Sequence, residues 1–467
     1  MSAVAASQRE LVGVVGLWHL GSVTAACLAE AGYDVLGIDP DAAVVEELLS
    51  GRPPVSEPGL PELLASEAGH LRFSADPEAL AGARYAWVTF DTPVDDDDHA
   101  DVGWVLDHAV ELLAPLAHDA LVIVSSQLPV GSAAELEARC AARRGGLGLR
   151  FACVPENLRL GNALESFRSP DRIVAGVSCE RDRDELAGLL APLGAKVEWM
   201  RVESAEMTKH ALNSFLATSV AFINEVATIC EVVGADAAEV SRGLKSERRI
   251  GPRAYLGPGD AFAGGTLARD ISFLRELAQR HGLPEDVFAG VASGNTAHKS
   301  WARRKLVEQL GSERGAGGAL AGATIGIWGL TYKPGTDTLR RLSAVELCHW
   351  LAGEGANVRA HDPAVTSLAS ALAAEIELCE TPLAAAEGAS ALVVCTPWPE
   401  YRELSATQVR SALRVPLVID AAGFLAGSLG AEPGLVYSRV GSPRASLVQP
   451  RGDEQAAVAA AESETRA

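Results

Sequence analysis

The sequence predicts an α/β protein in which two doubly wound domains flank a central helical region with one long helix. Two stretches repeat one plan of strand, glycine turn, helix and strand: VGVVGL at 12–17 with LAEAGYDVLGIDP at 28–40, and IGIWGL at 325–330 with LAGEGANVRAHDP at 351–363. This order is typical of a Rossmann-like unit. Between the repeats, residues 203–234 form one long helical pattern of small and apolar residues that ends at a glycine.

Composition excludes several classes of partner. The 467 residues carry a net charge of -21, which disfavours binding to nucleic acid or to an anionic membrane. No apolar run of membrane-spanning length and no secretory signal are visible, so we expect a cytoplasmic protein without a membrane partner. The eight cysteines are scattered without a CxxC pair, which predicts reduced thiols and no metal site.

The first repeat predicts a dinucleotide site. Gly16, Trp18, Leu20 and Gly21 lie in the turn, and Asp39 ends the second strand, where a carboxylate accepts from ribose hydroxyls and repels a 2′-phosphate. We therefore predict NAD. Trp18 replaces the second glycine of the usual fingerprint, so a unit that binds no dinucleotide stays an alternative. The expected order is a strand at 11–15, the turn at 16–21, a helix at 22–31 and a strand at 35–38.

Further strands end in polar residues. The apolar run 85–90 leads into Thr92 and Pro93, and the run 120–125 leads into Ser126 and Gln127. The acidic run at 95–98 is interpreted as a solvated loop, because consecutive aspartates carry no ligand geometry.

Two polar residues interrupt the long apolar helix. Lys209 and Asn213 are four residues apart and therefore share one face. Pairing of the lysine with a carbonyl or carboxylate is the alternative to a catalytic role. Glu156 follows the apolar run 151–154 and is either an active-site acid or a simple loop charge.

A glycine-rich loop at 258–270 precedes an apolar helix. Its small residues surround Phe262 and suggest close approach of another molecule, and it ends in Arg269 and Asp270. The alternative is a surface loop followed by a helix with an aspartate cap.

These segments resemble the UDP-glucose/GDP-mannose dehydrogenase family over nearly the whole chain to about residue 445. The loop resembles that family's active-site pattern P-G-x-G-F-G-G-[ST]-C-[LF]-P-[KR]-D. Phe262, Gly264, Leu267, Arg269 and Asp270 match it, whereas Thr266 stands at the position of the catalytic cysteine. The segments at 126–131, 247–251 and 329–340 resemble S-T-V-P-x-G, R-I-G and G-L-[AST]-[FY]-K-x-x-[TS]-D-D-x-R.

The resemblance implies roles for residues at matching positions. Implied cofactor contacts are Gly16, Trp18, Leu20, Gly21, Asp39, Thr92, Pro93, Ser126 and Gln127. Implied catalytic residues are Glu156, Lys209, Asn213, Thr266 and Asp270, with no metal. Implied substrate contacts are Leu158, Arg249, Phe262, Gly264, Lys333 and Arg340.

The resemblance also implies the domains and the assembly. We expect an NAD-binding domain at 1–198, a central helical domain at 199–310 that forms a homodimer through the helix at 203–234, and a nucleotide-sugar-binding domain at 311–450. Residues 451–467 are small, polar and charged, which predicts a disordered tail.

Enzymes of this family oxidise the C6 alcohol of a nucleotide sugar to a carboxylate with two NAD, through a thioester on the cysteine. A threonine hydroxyl is not a comparable nucleophile near neutral pH. We therefore expect an oxidoreductase acting on a UDP-hexose that stops at the aldehyde, unless a hydrated aldehyde is oxidised directly. Departures at Trp18, Gln127 and Thr266 keep two alternatives open: a dehydrogenase of another sugar position or substrate, and a relative that binds without catalysis.

Overall fold

The computed structural model describes residues 9–94, 100–145, 148–263, 266–311, 320–336, 339 and 343–443. The chain divides into two compact units, Met1–Ser214 with Arg269–Arg280, and Phe215–Ala268 with His281–Ala467. The acidic run at 95–98, Gly264, Arg340 and the tail at 451–467 lie outside the described residues.

The first unit is built on an eight-stranded sheet. Its strand order is β3-β2-β1-β4-β5-β6-β7-β8, and every neighbouring pair is parallel except β6 and β7. The strands are β1 Leu11–Val15, β2 Asp34–Ile38, β3 Leu71–Ser74, β4 Tyr85–Val88, β5 Leu121–Val124, β6 Arg150–Cys153, β7 Ile173–Gly176 and β8 Val197–Met200. The helices are α1 His19–Glu30, α2 Ala42–Leu49, α3 Leu60–Ser66, α4 Val102–Leu112, α5 Ser132–Arg143, α6 Ala163–Arg168 and α7 Glu180–Leu190.

Both faces of this sheet are buried, which explains the continuous apolar runs of its strands. Alternate residues of one strand enter different clusters: Val14 packs on one face, and the next residue, Val15, packs on the other. Two predicted boundaries were wrong. The helix expected at 22–31 begins at His19 because the turn is shorter, and the strand expected at 85–90 ends at Val88.

The central region is helical. It contains α8 Val202–Val233, α9 Ala237–Ser246, α10 Leu267–Arg280, α11 Asp286–Lys299 and α12 Trp301–Leu310. The predicted long helix is thus confirmed within one residue at each end. By length and composition α8 would be able to cross a membrane, but core helices of other proteins meet the same test, so the absence of a membrane partner stays a prediction.

The second unit carries a six-stranded, all-parallel sheet of order β11-β10-β9-β12-β13-β14. The strands are β9 Thr324–Trp328, β10 Asn357–His361, β11 Ile376–Leu378, β12 Ala391–Val394, β13 Leu417–Asp420 and β14 Val436–Ser438. The helices are α13 Ser343–Gly353, α14 Ser370–Ala373, α15 Pro382–Ala386, α16 Ala406–Ala412 and α17 Ala426–Leu429. Two doubly wound sheets, with a helical region between them in the sequence, confirm the predicted fold class, whereas the domain boundaries stay a prediction.

Candidate active site

The glycine turn of the first unit packs tightly against its neighbours. A Cβ on Gly21 would lie 1.7 Å from the Gly16 carbonyl oxygen, and Gly16 itself has φ +91° with a Cβ position 2.6 Å from Phe90. Only glycine fits either position. Trp18 has φ -65° and is 47% exposed, so its backbone requires no glycine and its ring is partly in solvent. The turn therefore keeps glycine at the first and third fingerprint positions, Gly16 and Gly21, where a side chain would not fit.

Asp39 closes the turn at the end of β2. Its carboxylate accepts from the Leu17 N–H at 2.6 Å and from the Asp41 N–H at 2.9 Å, and the residue is 8% exposed. Burial raises the pKa of Asp39, and the two backbone N–H groups oppose that shift. Each carboxylate oxygen has two lone pairs, so the group retains acceptor capacity for ribose hydroxyls.

The segments after β4 and β5 meet at one edge of the sheet. The Thr92 hydroxyl donates to the Gln127 carbonyl oxygen at 2.7 Å. Ser126 is 8% exposed, and within the described chain its hydroxyl has no hydrogen-bond partner. A buried hydroxyl without a partner is unusual, and a bound polar ligand would satisfy it.

Glu156 and Lys209 form an ion pair. Lys209 Nζ lies 3.0 Å from Glu156 Oε1 and donates to the Glu156 carbonyl oxygen at 2.8 Å, while the side chains are 18% and 11% exposed. The other carboxylate oxygen accepts from the Leu158 N–H at 2.9 Å. The predicted acid and the predicted lysine are thus brought together, and Leu158 orients the acid through its backbone.

Asp270 is fully buried and holds a cluster of donors. Its carboxylate accepts from Asn213 Nδ2 and, at 2.7 Å each, from Gln127 Nε2 and His210 Nδ1. The Leu128 carbonyl oxygen lies 2.8 Å from His210 Nε2. The His210 ring thus lies between the Asp270 carboxylate and the Leu128 carbonyl oxygen.

A cavity of about 20 Å³ lies beside these two clusters. The polar side chains around it include Ser126, Gln127, Cys153, Glu156, Lys209 and His210. Burial raises the pKa of the Cys153 thiol well above its ordinary value, and Glu206 raises it further. Cys153 thus lies near Glu156 but stays a thiol, which removes the thiolate character that a nucleophile needs.

In the second unit, three side chains form hydrogen bonds with the backbone of the glycine-rich loop. Asn224 accepts from the Gly259 N–H at 3.0 Å, and Asn295 accepts from the Phe262 N–H and donates to the Phe262 carbonyl oxygen, both at 2.9 Å. His298 Nε2 lies 2.8 Å from the Gly259 carbonyl oxygen. Sequence reasoning missed all three. The only available signal was the spacing of Asn295 and His298, which puts both on one face of α11.

The other predicted residues of the second unit are more open. Thr266 is exposed and directly precedes α10. The Arg249 side chain is 87% exposed and lies 3.1 Å from Glu247. Lys333 begins a tight turn in which the Thr336 hydroxyl donates to the Lys333 carbonyl oxygen at 2.8 Å.

The two repeats differ in how the closing aspartate is used. Asp362, at the position of Asp39, accepts on one oxygen from the Leu330 N–H at 2.7 Å, the Thr331 N–H at 2.9 Å and Trp398 Nε1 at 3.1 Å. That oxygen is saturated. In the second turn one carboxylate oxygen thus takes several donors, whereas in the first turn each Asp39 oxygen accepts from one backbone N–H.

Comparison with protein-family models gives three matches in chain order. They are the UDP-glucose/GDP-mannose dehydrogenase family's NAD binding domain at residues 10–193, its central domain at 203–297 and its UDP binding domain at 326–427. The NAD-binding match contains the turn at 16–21. Gly16, Gly21, Asp39 and the Ser126 hydroxyl, which has no hydrogen-bond partner among the described residues, fit a dinucleotide.

Relatives match over nearly the whole length. UDP-glucose 6-dehydrogenase of Pseudomonas aeruginosa is 35% identical over 92% of this chain and 97% of its own. UDP-glucose 6-dehydrogenase of Rhizobium meliloti is 32% identical over 92% and 99%. The structure of a UDP-glucose dehydrogenase from Pyrobaculum islandicum superposes with a TM-score of 0.81 at 32% identity, over 90% of this chain and 96% of the other.

Proposed function

Because the chain belongs to the UDP-glucose/GDP-mannose dehydrogenase family of NAD-dependent nucleotide-sugar dehydrogenases, we propose that it oxidises the C6 alcohol of a UDP-hexose and stops at the aldehyde. The Lys209–Glu156 pair beside the donor cluster on Asp270 carries the first half of this proposal. Relatives named UDP-glucose 6-dehydrogenase favour UDP-hexose.

Bound NAD would accept the hydride, and the chain must take the proton and hold the oxygen of the reacting carbon. Lys209 and Glu156 share a partly exposed ion pair, so they are the groups that we assign to proton removal. Asn213 donates one amide proton to Asp270 and has a second for the substrate oxygen. Asp270 is wholly buried among three donors, so we assign it the positioning of Asn213 rather than the role of base.

Thr266 supports the second half of the proposal. A thioester intermediate needs a thiolate, and a threonine hydroxyl without a strong adjacent base does not replace it. Cys153 is excluded as a substitute by its buried, protonated thiol. One hydride transfer gives the aldehyde, one NADH and one proton, and nothing in this assignment supplies the covalent intermediate for a second transfer.

The test is the number of NADH molecules formed per sugar consumed. The purified protein is incubated with NAD and a panel of UDP- and GDP-hexoses, and the product is identified by mass. We expect a ratio near one with an aldehyde product. Thr266→Cys should move the ratio towards two, and the matched variant Thr266→Ser, which restores no thiol, should leave it at one.

Two results would contradict the proposal in different ways. A ratio near two in the unaltered protein would mean that another group completes the oxidation. No NADH with any sugar, despite measurable NAD binding, would favour a relative that binds without catalysis.

We also propose that the protein forms a homodimer through α8. Within the described chain, Phe215, Phe222 and Ile229 are exposed at 69%, 49% and 62%, and seven-residue spacing puts them on one helix face. An exposed apolar stripe of this kind is typical of a subunit interface. Phe222→Glu should reduce the mass measured by light scattering to that of a monomer, and an unchanged dimer mass would exclude this face.

A further inference from the structure

Asp91 follows β4 and lies beside the N-terminus of α1, the helix after the glycine turn of the cofactor site. Thr89, two residues before it, is tied to the glycine turn: its N–H donates to the Val15 carbonyl oxygen at 2.8 Å, and its hydroxyl donates to the Gly16 carbonyl oxygen at 2.7 Å. This attachment holds the segment after β4 against α1. The Leu20 N–H, in the first turn of α1, points to Asp91 Oδ2 at 3.5 Å.

The first turn of a helix is where a dinucleotide pyrophosphate binds. N–H groups there have no partner within the helix, and the helix dipole favours an anion. In α1 the first bond of the helical pattern is the Ser22 N–H to the Trp18 carbonyl oxygen at 2.9 Å, so the Leu20 N–H lies ahead of it. The long contact to Asp91 therefore uses a donor of the same kind as those that a pyrophosphate takes.

We propose that Asp91 is an affinity-determining residue for NAD, because its carboxylate is an internal anion that competes with the pyrophosphate at the N-terminus of α1. For NAD to bind, Asp91 must turn away from Leu20 or tolerate a second negative group beside it. Either event weakens binding of molecules that carry the pyrophosphate and leaves binding of the adenosine end alone.

Charged groups of both signs surround this carboxylate. His19, the first residue of α1, lies 2.9 Å from Glu57, which is itself buried and accepts from the Gly161 and Ala163 N–H groups at 2.7 and 2.8 Å. The His19 ring thus already has a carboxylate partner.

Two more charged groups face Asp91 from other elements. Glu156 follows β6 and is paired with Lys209, and Arg269 of α10 donates to the Gln127 side-chain oxygen. Desolvation raises the pKa of Asp91 and Glu156 raises it further, while His19, the Leu20 N–H and Arg269 lower it. Asp91 itself is exposed, so a ligand that reaches the glycine turn can meet its carboxylate.

The experiment measures binding by calorimetry in the absence of sugar. Three ligands are titrated: NAD and ADP-ribose, which contain the pyrophosphate, and adenosine, which does not. Asp91→Asn should bind NAD and ADP-ribose about tenfold more tightly than the unaltered protein, equivalent to about 1.4 kcal/mol, with adenosine unchanged. The gain should shrink in high salt because the interaction is between charges.

Asp107→Asn is the matched control. This residue lies on α4 of the same unit with a side chain that is 73% exposed and paired with Arg139 at 2.6 Å, so the variant removes one negative charge away from the turn. We expect the control to bind all three ligands like the unaltered protein.

Unchanged or weaker NAD binding in Asp91→Asn would overturn the inference, and so would an equal gain for adenosine. Circular dichroism of each variant verifies that the fold is intact. Since no sugar is present, the outcome is independent of the proposed substrate and of the aldehyde product.

Discussion

The fully buried Asp270 gives the strongest test of the donor cluster in the first unit. Asp270→Asn replaces a carboxylate by an amide of the same size, removes the carboxylate that lies 2.7 Å from His210 Nδ1 and makes one amide N–H face donors. Removal of one partner of a buried ion pair costs about 3 to 5 kcal/mol of unfolding free energy. We expect a loss of that size, together with impaired turnover because Asn213 loses its anchor.

The assay is equilibrium unfolding in guanidinium chloride followed by circular dichroism. Asp107→Asn serves again as the control, since its exposed ion pair is worth roughly 0 to 1 kcal/mol. The double variant His210→Gln with Asp270→Asn removes both charges, so its loss should be smaller than the sum of the two single losses, by about 0.5 to 3 kcal/mol. A loss below about 1 kcal/mol for Asp270→Asn, or additive single losses, would refute a buried ion pair at this position.

Two further predictions concern the turn and the loop. Gly21→Ala should abolish measurable NAD binding and destabilise the first unit, because its Cβ would lie 1.7 Å from the Gly16 carbonyl oxygen; calorimetry and unfolding curves test both effects, and tight NAD binding would contradict them. Burial lowers the pKa of His298 in the folded state, so the unfolded chain binds more protons as the pH falls below the ordinary histidine value of about 6.5. Stability should therefore be full above that value and decline below it, and the decline should be smaller in His298→Gln; equal pH profiles would contradict the assignment.

The fold was readable from the sequence because its signals are local. Apolar runs give the strands, and the spacing of Gly16, Gly21 and Asp39 gives the turn, its helix and the strand after it. The start of α1 was placed too late because the third glycine of the fingerprint lies inside the first helical turn rather than before it.

The side-chain network was not readable, because its contacts join residues that are far apart in the chain. His210 reaches Asp270 across 60 residues and Leu128 across 82, and its position in an apolar helix gives no sign of either partner. Asn295 meets Phe262 across 33 residues. Family resemblance supplied Lys209 and Asn213, but the distinction between a base and an anchor needed the burial and the hydrogen bonds of Asp270.

Gln127, which departs from the family pattern, favours a functional active site over one that has lost catalysis. A replacement accumulated without selection would leave a buried amide partly unsatisfied at a cost of about 1 to 3 kcal/mol. Instead, Gln127 Nε2 donates to Asp270, its side-chain oxygen accepts from Arg269, and its carbonyl oxygen accepts from the Thr92 hydroxyl. The substitution is thus integrated into the same cluster that orients Asn213. This completeness supports an active dehydrogenase with an altered second step, as proposed from Thr266, over a protein that has lost catalysis.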